Sequence, residues 1–261
     1  MRFRLTLELT DRNQNLLPLN YQYELSSWIY KVLHNGNPEF ADWLHTRGFM
    51  NDKKQFRLFT FSHLLIPERK IDGDRLHILS SQIRLIVSMV PDEMVRHFIT
   101  GLFQDQVFIL GDRISQVSMR VTQVEALPVP DFSGQMRFSA LSPIVISWKS
   151  QGDPYAKYLS PSDPSYSMLF FRNLYQKRSA FPETGSQESV FTDCSIKVIT
   201  EPRKKGIMIK TGTPMQSKVI GYAFDFNICA PEEIIRFGYY TGFGEKNSMG
   251  FGCVELKTKR Y

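Results

Sequence analysis

Cysteine is scarce: three stand among 261 residues, at 194, 229 and 253, with no Cys-x-x-Cys pair. An odd number at wide spacing excludes a disulfide framework and a cysteine-rich structural zinc site. The thiols read as small apolar side chains in a reducing compartment. Long apolar runs are missing too, since none approaches the roughly 20 residues that span a bilayer. Residues 1–9 alternate charged and apolar side chains, unlike a secretory signal. The expectation is a cytoplasmic protein without membrane association. The charge excess is small, 32 basic against 26 acidic side chains, giving +6. It is also uneven, with 15 basic and 14 acidic groups up to residue 130 and 17 and 12 beyond it. Such a field favours a polyanionic partner but is weak evidence alone.

Aromatics are plentiful, with 20 Phe, 11 Tyr and 3 Trp, and 42% of the chain is hydrophobic. That supplies one large core or two small ones. Residues 2–9 alternate as a strand, with Phe3, Leu5, Leu7 and Leu9 on one face and Arg2, Arg4, Thr6 and Glu8 on the other. Tyr21, Leu25, Trp28, Ile29, Val32 and Leu33 recur at helical spacing. A second helix follows from Pro38 to about Arg47, where Gly48 takes the position of a C-cap glycine. Residues 56–66 read as a strand and 76–90 as one or two more. Pro91 opens a helix to about Phe103, and 107–127 alternates again. The order β-α-(α)-β-β-α-β is ferredoxin-like.

Residues 128–134 form the linker, and the order then begins again. Residues 136–148 are strand-like. Residues 166–179 are helical, with Met168, Phe171, Leu174 and Tyr175 as the inner-face candidates. Strands follow over 193–200 and 207–229, then a helix from Pro231 and a last strand over 251–257. The expected class is therefore α+β, with two tandem ferredoxin-like units at 1–128 and 134–261. Only the element order repeats between them, not the sequence.

The most specific stretch runs from 238 to 252, with five glycines in 15 residues. It contains Gly242-Phe-Gly244-Glu-Lys246-Asn247-Ser248-Met-Gly250-Phe-Gly252. Glycine permits positive φ and close backbone approach, and successive exposed N–H groups can form an anion nest. Lys246, Asn247 and Ser248 can add donors to a phosphate. A glycine-rich turn that only packs would look the same. It is neither a Walker loop nor a dinucleotide fingerprint, because no Gly-Lys-[Ser/Thr] opens a helix and the segment precedes a strand.

This segment resembles the signature loop of the RAMP superfamily, and within it the CRISPR-associated endoribonucleases of the sixth Cas family. Met1-Arg-Phe-Arg-Leu, Tyr21-Gln-Tyr-Glu-Leu-Ser-Ser-Trp-Ile-Tyr30, Trp43-Leu-His45, Leu58-Phe-Thr-Phe-Ser62 and Ser142-Pro-Ile144 agree in order. The resemblance implies the same tandem fold and no cofactor or metal. It implies cleavage of precursor CRISPR RNA within repeats, by attack of a ribose 2′-hydroxyl that leaves a 2′,3′-cyclic phosphate and a 5′-hydroxyl. The other reading is a RAMP subunit that holds guide RNA without cutting. Other Cas proteins of an effector complex are further partners to consider, and either a monomer or a homodimer fits.

That chemistry needs a base, an acid and a cation on the crowded phosphorane. His45 matches the family's catalytic histidine, and His34 is the reserve. Tyr30 matches a tyrosine that accompanies it in some relatives. Some relatives carry a lysine just before Leu-Phe-Thr, where this chain has Arg57, so Lys54 or Arg57 is the expected phosphate stabiliser. The RNA-backbone candidates are Arg203, Lys204, Lys205, Lys210 and Lys218, together with Gly242, Gly244, Lys246, Asn247, Ser248, Gly250 and Gly252. Tyr239, Tyr240 and Phe243 are either base-stacking or core residues. Asp72 and Asp74 only flank Gly73 in a turn, which disfavours a metal-dependent nuclease.

Overall fold

The computed structural model describes residues 1–150, 152–153, 155–181, 193–211 and 213–257. Alternation places Phe3, Leu5 and Leu7 of the Arg2–Leu9 strand in the core. That strand is the centre of a five-stranded antiparallel sheet. The sheet order is Phe59–Phe61, Ile83–Met89, Arg2–Leu9, Gln116–Ala126, Val107–Gly111. Helix α1 (Gln22–Gly36) buries Leu25, Trp28, Ile29, Val32 and Leu33 along one stripe. Helix α2 (Pro38–Thr46) starts at Asn37, whose side chain accepts from the Phe40 amide at 2.9 Å. Helix α3 (Asp92–Gln104) crosses α1 at two glycines. A Cβ on Gly101 would lie 1.8 Å from the Val32 carbonyl oxygen, and one on Gly36 would lie 2.0 Å from that of His97.

Counting Arg2–Leu9 as the first strand, the sheet order is second-third-first-fourth, the ferredoxin-like arrangement, with Val107–Gly111 added at one edge. The C-terminal half repeats it as Ser195–Val198, Asp225–Cys229, Gln135–Ala140, Val254–Leu256. Helices α4 (Tyr166–Ser179) and α5 (Glu232–Thr241) are its two crossovers. The α+β class and the repeated order are thus both present. In each half a hairpin sits between the second and third strands: Arg69–Asp72 with Arg75–Ile78, and Arg203–Ile209 with Ser217–Ala223. Among the described residues no helix is long and apolar enough to cross a membrane.

Three local expectations change. The stretch 107–127 is a hairpin, not one strand, because the Asp112 carboxylate accepts from the Ile114 and Ser115 amides at 2.9 Å each and turns the chain. On α4, Phe171, Leu174 and Tyr175 are buried as expected, but Met168 is 56% exposed, while Phe170 and Lys177 are buried. Residues 127–134 carry no helix or strand, yet Phe132 is buried against the Tyr239 ring, 5.5 Å away.

The polar face of the first strand is solvent-facing only in part, since Arg4 and Glu8 are half-buried while Arg2 and Thr6 are buried. Arg2 is buried, with its guanidinium 4.4 Å from the Tyr239 ring centroid, and it donates to the Tyr239 and Val254 carbonyls. Thr60 Oγ1 donates to the Phe251 carbonyl at 2.9 Å. The C-terminal half therefore covers part of the back of the N-terminal sheet, around Arg2 and Thr60.

Candidate functional site

The glycine-rich segment folds as a tight buckle against both halves. Gly242, Gly244, Gly250 and Gly252 are buried, with φ of 89°, 73°, 84° and 74°. A Cβ on Gly242 would lie 2.5 Å from the Asn247 side-chain nitrogen, and one on Gly244 2.5 Å from the Val145 carbonyl oxygen. On Gly250 it would lie 2.6 Å from the Phe61 ring, and on Gly252 1.9 Å from the Phe243 carbonyl oxygen. Several amides are already engaged: Gly242 with Gly238, Phe243 with Gly252, Gly250 with Asn247 and Gly252 with Pro143.

The anion nest expected here therefore does not form at Gly242, Gly250 and Gly252, and close packing accounts for all four glycines. Asn247 is likewise not an outward phosphate donor. It is buried, and its Nδ2 donates to the Phe243 and Phe251 carbonyls. Lys246 remains exposed and Ser248 half-buried. Gly250→Ala is expected to cost roughly 2–3 kcal/mol, from a strained φ plus a displaced Phe61 ring, read as a lower urea midpoint at unchanged slope.

Lys177 is a residue that sequence reading missed. Its Nζ is buried and donates to the Gly242 carbonyl (2.6 Å), the Gly244 carbonyl (3.1 Å) and Asn247 Oδ1 (2.6 Å). Three acceptors match the three N–H groups of an ammonium. Burial pushes its pKa down to about 7, against the opposing pull of Glu245. The available signal was a lysine in phase with Phe170 and Leu174 on a buried helix stripe.

The catalytic candidates converge beside this buckle. His45 is exposed at the end of α2, its ring edge-on to Tyr30 with centroids 5.4 Å apart and planes at 86°. Tyr30 is half-buried and also meets Phe59 at 5.5 Å. Burial raises its pKa, while Arg57 and the Ser248 side chain, which face its hydroxyl, act in the opposite direction. Arg57 donates to the carbonyls of His45 (2.7 Å) and Arg47 (3.3 Å) and to Gln55 Oε1 (3.2 Å). It thus binds the carbonyl end of the helix that carries His45. The next residue, Leu58, is buried with φ of 51°. Lys54 Nζ donates to Gln176 Oε1 at 2.8 Å, and its pKa is lowered by burial and then by Arg172.

A cleft of about 450 Å³ opens between the halves, in the size range of ligand sites. Its cationic lining is Lys54, Arg57, Lys149, Arg172, Lys177 and Lys246, with Ser248 beside them. Glu245 is held on the wall, its carboxylate accepting from the Ser147 amide (3.0 Å) and hydroxyl (2.7 Å). The His45 ring does not line the cleft. It adjoins the cleft through Tyr30 and Arg57.

The basic run does not join this site. Arg203, Lys204 and Lys205 are exposed on the second hairpin, Lys218 is exposed on its partner strand, and Lys210 is half-buried at the turn. Strand alternation splits the run between two faces. Lys218 covers Gly206 on the face of Lys204, since a Cβ there would lie 2.5 Å from Lys218 Cε. Lys205, on the face of Ile207 and Ile209, adds to burial in depressing His63 to about 4. His63 Nδ1 pairs with Gln22 at 2.8 Å, and His34 is exposed in the last turn of α1. Tyr239 and Phe243 are core residues, and Tyr240 is half-buried. Among the described residues no group of three or more His, Cys, Asp or Glu stands where it could hold a metal ion.

Two ferredoxin-like folds clasped by a C-terminal glycine buckle, with a basic cleft between them, define a RAMP-type protein. The profile for CRISPR-associated protein Cas6, N-terminal, matches residues 16–125, and that for CRISPR associated protein Cas6, C-terminal, matches 127–256. The chain belongs to the Cas6 family of CRISPR-associated endoribonucleases. It is 30% identical over 254 residues to the CRISPR-associated endoribonuclease Cas6 1 of Methanocaldococcus jannaschii, covering 96% of this chain and 91% of that one. It is 30% identical over 258 residues to the endoribonuclease-like protein Cas6nc of Pyrococcus horikoshii, covering 97% and 99%. A solved structure described as a RAMP protein binding different RNA substrates matches with TM-score 0.80 and 28% identity, over 99% of this chain and 100% of that one.

Proposed function

We propose that this Cas6-family protein cuts precursor CRISPR RNA within its repeats without a metal ion, by 2′-hydroxyl attack. The observation that carries the reading is the exposed His45 imidazole set edge-on to Tyr30, at the edge of a cationic cleft. His45 transfers a proton, as base to the 2′-hydroxyl or as acid to the leaving 5′-oxygen. Imidazole suits either role near neutral pH. The Tyr30 hydroxyl orients the 2′-hydroxyl or the phosphate, and burial keeps it protonated. Lys54 and Lys246 bring positive charge to the phosphorane from the two sides of the cleft. Arg57 acts first as a positioning residue, because its guanidinium already binds the His45 and Arg47 carbonyls. The exposed cations of the second hairpin hold flanking RNA backbone, which makes binding weaken with salt.

The test is incubation of repeat RNA from the host's CRISPR array with the protein in excess EDTA. The expected products are a 5′ fragment ending in a 2′,3′-cyclic phosphate and a 3′ fragment beginning with a 5′-hydroxyl. Loss of all cutting in chelator would refute the metal-free mechanism. The second reading, a non-cleaving guide-RNA-binding subunit, draws on the same Arg57 geometry, since a guanidinium engaged by carbonyls is less free for phosphate. Tight binding with no product under any condition would select it.

A further inference from the structure

One side chain of the cleft is not used by the cleavage chemistry. Trp148 lines the cleft and is 42% exposed. The other aromatic ring in the lining, Phe56, packs against the main core. The indole is held from several directions. The preceding residue, Ser147, is bonded through amide and hydroxyl to Glu245 of the glycine buckle. Trp148 pairs with Lys157 in a short antiparallel ladder, and its Nε1 donates to Ser150 Oγ at 3.1 Å. The Arg172 guanidinium lies over the ring, 5.3 Å from its centroid. Arg172 also stands close enough to Lys54 to lower that amine's pKa, second to burial.

We propose that Trp148, backed by Arg172, is a stacking platform for the base of a nucleotide adjoining the scissile phosphate, and so a specificity-determining subsite of this cleft. The proposal rests on the ribonuclease reading above. A fixed, partly exposed ring loses little freedom when a base stacks on it, and every base offers a π-face. The cation over the indole adds attraction for the neighbouring phosphate and ties the platform to the Lys54 side of the cleft. With the Arg172 guanidinium laid over the indole, the platform holds the base through its π-face and ranks bases by stacking strength, so purines are preferred to pyrimidines at that position.

The experiment uses the full chain and repeat RNA carrying a 2′-deoxy sugar at the scissile position, so that binding is read without cutting. 2-Aminopurine replaces each base flanking that position in turn. One of these probes is expected to be quenched on binding by the native protein and by Trp148→Phe, but not by Trp148→Ala. Trp148→Ala should weaken Kd roughly tenfold. It should leave the slope of log Kd against log salt unchanged, whereas Arg172→Ala should lower that slope by about one. If Trp148→Ala matches the native protein in Kd and quenching while cleavage of unmodified RNA is normal, the platform is wrong and the ribonuclease reading stands. A reduced salt slope in Trp148→Ala would mean a disturbed cationic wall and would also overturn it. If the native protein neither binds nor cuts repeat RNA, both readings fall.

Discussion

His45→Ala is expected to lower the single-turnover cleavage rate of repeat RNA by roughly 10²–10⁴-fold while leaving binding intact. The exposed imidazole contributes little to packing, and its ring meets that of Tyr30. The variant should therefore unfold at the same urea concentration as the native protein. Arg57→Ala makes a useful contrast. It frees the His45 and Arg47 carbonyls, so it should slow cutting less than His45→Ala. Arg57→Lys should recover only part of the loss, because an ammonium does not reproduce the two-pronged grip. Unchanged cleavage in His45→Ala would remove the histidine from the mechanism and move attention to Tyr30 and Lys54.

Lys177→Met is expected to be the most damaging single change outside the reacting groups. It leaves the Gly242 and Gly244 carbonyls and Asn247 Oδ1 without their buried donor. Relief of the ammonium's desolvation offsets part of that loss, leaving a cost of roughly 3 kcal/mol, seen as a drop in Tm of roughly 10 °C. Because the buckle forms a wall of the cleft, RNA binding should weaken as well.

The pH dependence provides a second readout. The Lys177 pKa is about 7 in the folded chain against 10.5 for an ordinary lysine. Between those values the unfolded chain holds a proton that the folded chain lacks. Stability from this site therefore rises as pH goes from about 7 towards 10. The gap in unfolding free energy between native protein and Lys177→Met should widen over that window. Parallel stability curves would show that the ammonium stays charged throughout, held by its three acceptors.

The amino-acid sequence by itself determined the element order, and with it the class. Periods of two and 3.6, broken by Pro38, Gly48, Pro91 and Pro231, specify which segments become strands and helices. Those signals are local, since each depends on neighbours within a turn or a strand. The glycine motif was equally legible, and the family resemblance singled out Tyr30 and His45, although as separate residues 15 positions apart. What each glycine does was not legible. The need for hydrogen at Gly250 comes from Phe61 of the other sheet, and at Gly244 from the Val145 carbonyl.

Tertiary structure alone decided the rest, because it depends on groups far apart in the chain. On α4 Met168 faces solvent and Lys177 the core, and a lysine on the buried stripe looks polar until its acceptors, 65 to 70 residues later, are in place. Arg57 reads as a free cation until the fold sets it against the His45 and Arg47 carbonyls. Trp148 reads as the end of a strand until Glu245 fixes the residue before it beside a cationic cleft. The basic run 203–205 reads as one patch, and strand pleating divides it. Local pattern specifies which residues are apolar and where the chain turns. Only packing decides which polar groups meet, and the cleft and its chemistry are made from those meetings.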